Sequence, residues 1–189
     1  EGMRYKLYQH EPGKTVGFIE TIPGENAWRA VDAKGYLFVH CFWVLGKSKG
    51  KGYGTALLKD TIADARRSGY SGVAVVTSFE HWLPDKRIFI KHGFEQVDQL
   101  PPAFELFVKR FDTNARLPRF NRNTAALEKL PDGLVIYRSE QCPYIDASEM
   151  SLREAAEKLS LDITVIEVRT SKQAQKSPCP YGVTGVFLD

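Results

Sequence analysis

Residues 44–55 read Val-Leu-Gly-Lys-Ser-Lys-Gly-Lys-Gly-Tyr-Gly-Thr. Glycines at 46, 50, 52 and 54 are interleaved with Lys47, Lys49 and Lys51. Glycine lets a backbone approach a ligand closely. A helix start just beyond adds free N–H groups and partial positive charge. Backbone donors and ammonium groups together suit one task, holding a phosphate or pyrophosphate. Two common phosphate loops do not fit. The P-loop needs Gly-Lys-Ser/Thr after its spacer, but Gly52 is followed by Tyr53. The dinucleotide fingerprint needs its third glycine where Thr55 or Leu57 stands, depending on register.

The elements that must carry this loop are legible around it. Runs at 4–9 and 14–22, rich in branched and aromatic residues, flank Glu11-Pro-Gly13 and predict a hairpin. A third such run, 36–44, leads into the loop. Leu57, Leu58, Ile62 and Ala65 recur at helical spacing and predict a helix over 53–67, stopped at Gly69. Residues 72–77 are a continuous apolar run, which predicts a strand buried on both faces. Pro84 opens a second helix, 85–91, closed by Gly93. Strands at 94–97 and 104–111 complete the set.

The hexapeptide Lys49-Gly-Lys-Gly52-Tyr-Gly54 resembles the acetyl-CoA loop of GNAT-superfamily N-acetyltransferases. The element order and the Lys91-His-Gly93-Phe94 turn resemble the same family, over roughly residues 3–112. The fold so implied is α/β (α+β), a mixed, mostly antiparallel sheet flanked by helices. The activity implied is direct transfer of an acetyl group from acetyl-CoA, as co-substrate, to a small-molecule or protein amine. By position, the resemblance implies that the strand Phe42-Trp43-Val44 pairs with the pantetheine arm. Phe42 N–H would face the acetyl carbonyl and Val44 would bond the pantetheine amide. Amides of Lys49, Gly50, Lys51, Gly52, Tyr53 and Gly54, with Thr55, would hold the pyrophosphate. A glutamate replacing Gly54 is then expected to occupy the pyrophosphate position and leave the fold largely intact. GNAT domains also begin with a further strand and two helices, which have no counterpart before Arg4.

Proton transfer is harder to place. The family often has a tyrosine acid four residues before the glycine of its turn; that position is Phe89 here. A carboxylate base is common on the fourth strand, but the aligned position is Phe38. His40 lies two residues on, on the same strand face, and an imidazole pKa near about 6.5 suits a base. Glu80 and His81, after the strand at 72–77, and Glu20, on the second run, are further candidates. The aromatics Trp28, Tyr36, Phe38, Phe42, Trp43, Phe79 and Trp82 are expected to be mainly core, with an apolar acceptor pocket as the alternative. No metal-ligand spacing occurs, so no catalytic metal is predicted.

Residues 113–132 carry Asn114, Pro118, Asn121, Asn123 and Pro131 and read as a linker between a domain at 1–112 and one at 133–189. The second has strands at 134–137, 163–168 and 183–188. Ser151-Leu-Arg-Glu154 is a capping box that can open a helix ending at 159, with Asp146 or Ser148 as earlier caps. Cys142-Pro143-Tyr144-Ile145 resembles the glutaredoxin Cys-Pro-Tyr-Cys with its second cysteine replaced. That resemblance implies a partial thioredoxin-like domain, as in YoaP-like acetyltransferases, and a cis-proline at Pro178 or Pro180. Cys142 and Cys179 form a candidate thiol site. The rival function is therefore a CoA-binding thiol or redox sensor, or thioltransferase, using Cys142.

Composition sets the remaining bounds. A net charge of +3 on 189 residues gives no argument for nucleic acid. No apolar run approaches the ~18 residues of a membrane span. Arg4, Tyr5 and Lys6 read as strand rather than as the start of a secretory leader. Three cysteines do not make a secreted disulfide scaffold. A cytoplasmic location is the default expectation. Oligomeric state is not legible.

Overall fold

The structure, a computed structural model, describes residues 2–80 and 82–188. It divides into two units, residues 2–27 with 32–120, and residues 28–31 with 121–188.

The elements up to residue 120 are β1 (Arg4–Glu11), β2 (Lys14–Pro23), β3 (Val31–Asp32), β4 (Leu37–Val44), α1 (Tyr53–Arg67), β5 (Gly72–Thr77), α2 (Lys86–Lys91), β6 (Glu95–Leu100), β7 (Phe104–Arg110) and β8 (Arg119–Phe120). Six strands form one sheet in the order β1-β2-β4-β5-β7-β6, and only the β4–β5 neighbours run parallel. The fold is thus mixed α/β with a mostly antiparallel sheet. β5 is buried along its whole length, as a central strand covered on both faces must be. On one face Leu57, Leu58 and Ala65 of α1 and Phe89 of α2 pack with Ile19, Leu37, Val39, Val73, Val75 and Phe107. Each such Leu, Ile or Phe contributes about 1.5–3 kcal/mol by leaving water.

The feature that matters for function is where pairing stops. β4 and β5 pair over 37–39 and 73–75. Beyond that, β4 follows β2 as far as Val44↔Gly17, while β5 follows β7 as far as Thr77↔Glu105. Two parallel strands held by different partners diverge, and the sheet opens into a wedge at their C-terminal ends.

The second unit contains β9 (Leu134–Arg138), α3 (Ile145–Leu159), β10 (Ile163–Glu167), α4 (Ser171–Gln175) and β11 (Gly185–Leu188). Its sheet order is β10-β9-β11, with β10 parallel and β11 antiparallel to β9. Leu134, Ile136 and Ala156 form its core, with Leu152 and Val165 against them. Residues 28–31 join this unit: Ala30 N–H donates to the Pro180 carbonyl (3.4 Å) and the Arg29 guanidinium lies 4.6 Å from the Tyr181 ring centre.

Two local expectations are corrected here, the start of α3 and the cis proline. α3 starts at Ile145, so Ser151 is inside the helix, where its hydroxyl donates to the Ala147 carbonyl instead of capping. The capping box is at α4, between Thr170 and Gln173. The cis proline bond among the described residues is Pro101–Pro102, not at Pro178 or Pro180. Within 113–132 the structure places β8 and a 3-10 helix, Thr124–Lys129, and the division between units follows Phe120.

Candidate functional site

The wedge is lined on one side by the backbone of β4. Leu45 N–H donates to the Val16 carbonyl at 3.0 Å, toward β2. Backbone direction alternates along a strand, so the Trp43 amide also faces β2. The amides of Phe42 and Val44 face the other way, into the space that β5 has left. The expected strand role thus has two donors with the right direction, Phe42 and Val44. Trp43 offers no amide to the site; its exposed ring has the Lys49 ammonium 5.4 Å from its centre.

A β-bulge lies just before them. Glu20 pairs with Cys41 and Thr21 with Val39, which leaves His40 as the extra residue on β4. The bulge shifts the side-chain phase by one: Leu37 and Val39 face the helices before it, and Phe42 does so after it. His40 is 4% and Glu20 7% exposed. Their side chains meet across the strands, with Nδ1 of His40 3.1 Å from a Glu20 carboxylate oxygen.

From Val44 the chain enters the glycine-lysine loop and then α1. Gly52 is the N-cap of α1 at φ 85°, a left-handed conformation that favours glycine. The helix start has no side-chain cap and no acidic residue in its first turn. Lys47, Lys49, Lys51 and Gly50 are exposed, and Tyr53, Gly54 and Thr55 half-buried. The Tyr53 hydroxyl lies 3.1 Å from His10 Nδ1. Gly54 has a packing role. A Cβ there would lie 3.1 Å from Phe42 Cζ, 3.3 Å from Ile88 Cδ1 and 3.5 Å from Val44 Cγ2. A side chain at 54 would therefore press on the core contact between α1, β4 and α2, so the expectation that a glutamate there spares the fold is corrected.

The other candidates scatter. Glu80 is exposed in the loop after β5, its N–H donating to Ser78 Oγ (3.2 Å). His81 lies outside the described residues. Phe89 is fully buried, edge-on to Phe42 and Phe94, and has no proton to give. Trp28, Tyr36 and Phe38 are core, whereas Phe79 and Trp82 are 80% and 78% exposed. Cys142 and Cys179 are free, half-buried thiols; burial pushes the Cys179 thiol up, against weaker pulls from nearby backbone N–H groups and Arg29. Among the described residues no group of three or more His, Cys, Asp or Glu could hold a metal ion. Among the described residues no helix is long and apolar enough to cross a membrane.

The bulge and the Glu20–His40 contact escaped the sequence. Both residues were candidates singly, but nothing local links position 20 to position 40.

Comparison with known proteins gives the class. Residues 3–94 match the profile of the acetyltransferase (GNAT) family. A Bacillus subtilis (strain 168) protein described as an uncharacterized N-acetyltransferase, YoaP, is 32% identical over 187 residues, covering 98% of this chain and 73% of that protein. The chain belongs to the GNAT acetyltransferase family. It is an N-acetyltransferase, with acetyl-CoA as co-substrate and an amine as acceptor. Solved structures with partial likeness include an acetyltransferase from Bacillus cereus ATCC 14579 (TM-score 0.46, 20% identity, 58% of this chain and 73% of that one). Another is the Escherichia coli GNAT protein YhbS in complex with CoA (TM-score 0.45, 17% identity, 61% and 66%).

Proposed function

We propose that the wedge between β4 and β5 is where this enzyme transfers acetyl from acetyl-CoA to an amine. In this reading the Phe42 and Val44 amides receive the acetyl-pantetheine end. The amides of residues 49–54, Thr55 and the lysines hold the pyrophosphate. His40 is the base that accepts the proton of the attacking amine. The C–N bond forms as the C–S bond breaks, and the departing thiolate takes a proton from solvent, since Phe89 has none to give. The chain's contribution is positioning, proton removal and donors aimed at the developing negative charge. One observation carries the reading: two strand amides turned into the wedge lead directly to a bare, lysine-flanked helix N-terminus. Glu80, exposed on its loop, has no comparable support as a catalytic group.

The second unit is proposed as a partial thioredoxin-like module, supported by its β-α-β-α-β order and the antiparallel third strand. Its role is structural, because Ile145 replaces the resolving cysteine and burial disfavours a thiolate at Cys179. Three free thiols suit a reducing, cytoplasmic setting.

Calorimetric titration with acetyl-CoA and with CoA tests the site. Micromolar binding by the wild type, weakened at least tenfold in the Lys49→Glu/Lys51→Glu variant, is expected. Equal affinity in both proteins would overturn the loop assignment. His40→Ala is expected to lower kcat about 10²–10⁴-fold with little change in acetyl-CoA affinity; an unchanged kcat would remove His40 from the reaction.

A further inference from the structure

We infer that the acceptor is a small primary amine carrying an apolar chain or ring, and that Leu7, Phe18 and Trp43 hold its apolar part. This rests on the reading of the wedge as the place of acetyl transfer. The three residues stand on neighbouring strands, Leu7 opposite Phe18 and Phe18 opposite Trp43. Residues directly opposite each other share one face of a sheet. That face is the one turned away from α1. Ile19 and Phe42, next to them in the chain, pack with the helices, and the Lys6 ammonium reaches Asp60 and Asp64 of α1. Alternation therefore sends Leu7, Phe18 and Trp43 to the other side. Tyr5 joins them, its ring centre 5.6 Å from that of Phe18.

The row is apolar and open. Tyr5 is 59%, Leu7 56% and Trp43 44% exposed, and Phe18 is half-buried. Farther back on the same face Glu20 and Phe38 are buried, so the opening is confined to the end of β4 that borders the wedge. Across three strands at about 4.8 Å spacing the row is roughly 10 Å long, enough for an extended aliphatic chain or a ring and its spacer. A second copy of the chain is a poor occupant, because a stable interface takes roughly 20–30 residues a side and this row has four.

Trp43 joins the row to the reaction site. It lies between Phe42 and Val44, whose amides face the wedge. On the helix side the Phe42 ring is packed against Phe89, with ring centres 6.0 Å apart, so a thioester held on these amides is approached past Trp43. Phe79 and Trp82, both exposed, stand in the loop after β5 at the other edge. The nearest fixed charge on the Trp43 ring is the Lys49 ammonium, 5.4 Å from its centre. It repels a second cation, so the row suits an amine whose remainder is uncharged.

The test is acetylation of ethylamine, butylamine, hexylamine and octylamine by the full chain at saturating acetyl-CoA. In the wild type kcat/KM is expected to rise roughly twofold per methylene, about half the gain of complete burial because the row covers one side of the chain. Butylamine is expected to be acetylated faster than 1,4-diaminobutane. In Leu7→Gln the octylamine-to-ethylamine ratio of kcat/KM is expected to fall at least fivefold, with acetyl-CoA affinity unchanged by titration. A flat series, no turnover of any of these amines by protein that binds acetyl-CoA, or a preference for the diamine overturns the inference. So does an unchanged ratio in Leu7→Gln; if sedimentation also shows a wild-type dimer that the variant lacks, the row belongs to a second copy. Failure of the wedge reading is distinguishable, as equal acetyl-CoA affinity in the wild type and Lys49→Glu/Lys51→Glu.

Discussion

Two strand–loop–helix segments of this chain differ in a telling way. In the first unit β4 runs through the glycine-lysine loop into α1; in the second β9 runs through residues 139–144 into α3. Both helices have 15 residues. Yet α1 starts on a left-handed glycine, with no side-chain cap and no acid in its first turn. α3 starts on Tyr144 with Asp146 in its first turn, and Asp146 is paired with Arg138 at 2.6 Å. The α3 terminus already has its negative charge. The α1 terminus has no such charge, and in the proposed reading the anion comes from the cofactor. A helix start becomes a ligand site through what the sequence withholds from it as much as through what it supplies.

The largest expected break in this contrast is the Lys49→Glu/Lys51→Glu variant. Charged hydrogen bonds of this kind are worth on the order of 2 kcal/mol, roughly 30-fold in Kd. The equivalent assault on the second unit, Asp146→Lys, should leave acetyl-CoA affinity unchanged in the same titration. Gly54→Ala comes next. Filling the gap against Phe42 and Ile88 should cost about 1–3 kcal/mol, seen as a fall in Tm. An unchanged Tm with lost acetyl-CoA binding would instead return residue 54 to the pyrophosphate.

Thr55→Asp would make α1 resemble α3. It should stabilise the free protein by about 0.3–1 kcal/mol while weakening acetyl-CoA binding; tighter binding would contradict the anion site. Asp146→Asn removes a surface ion pair and should change stability by no more than about 1 kcal/mol.

The smallest effect concerns the other side of α1. A hydrogen bond from Lys6, helped by Arg67, holds the Asp64 carboxyl below the usual carboxylate range. A depressed folded pKa means that the unfolded chain binds the proton more readily. This stabilisation is therefore complete above the ordinary carboxylate pKa, about 3.9, and is lost as pH falls through the depressed value. Asp64→Asn should lower stability slightly at neutral pH and flatten its decline in acid; a denaturation series across pH would show an unaltered slope if the pair contributes nothing.

What could be read from the sequence was what is local. The strand run before the loop, the glycine spacing and the 57-58-62-65 periodicity place a glycine-lysine turn at the start of α1, because each depends on residues within a turn or two. The β1–β2 hairpin follows from two short runs joined by a turn, whereas the mostly antiparallel sheet was implied by the family resemblance. The boundary of the second unit was less accessible: residues 28–31 belong to it although they sit between β2 and β4 in the chain. Its helix start was missed because Ser151 and Glu154 satisfy a capping pattern that the earlier turn at Cys142–Tyr144 makes unnecessary.

Composition and local spacing by themselves therefore determined the elements and the glycine-lysine turn before α1, since dihedral preference and amphipathic period act over a few residues. Only the tertiary structure decided that β4 leaves β5 after Val39, that Gly54 is a packing contact, and that Glu20 meets His40. Those are relations between strands. They depend on a bulge and a register that the whole sheet sets through burial of its common core.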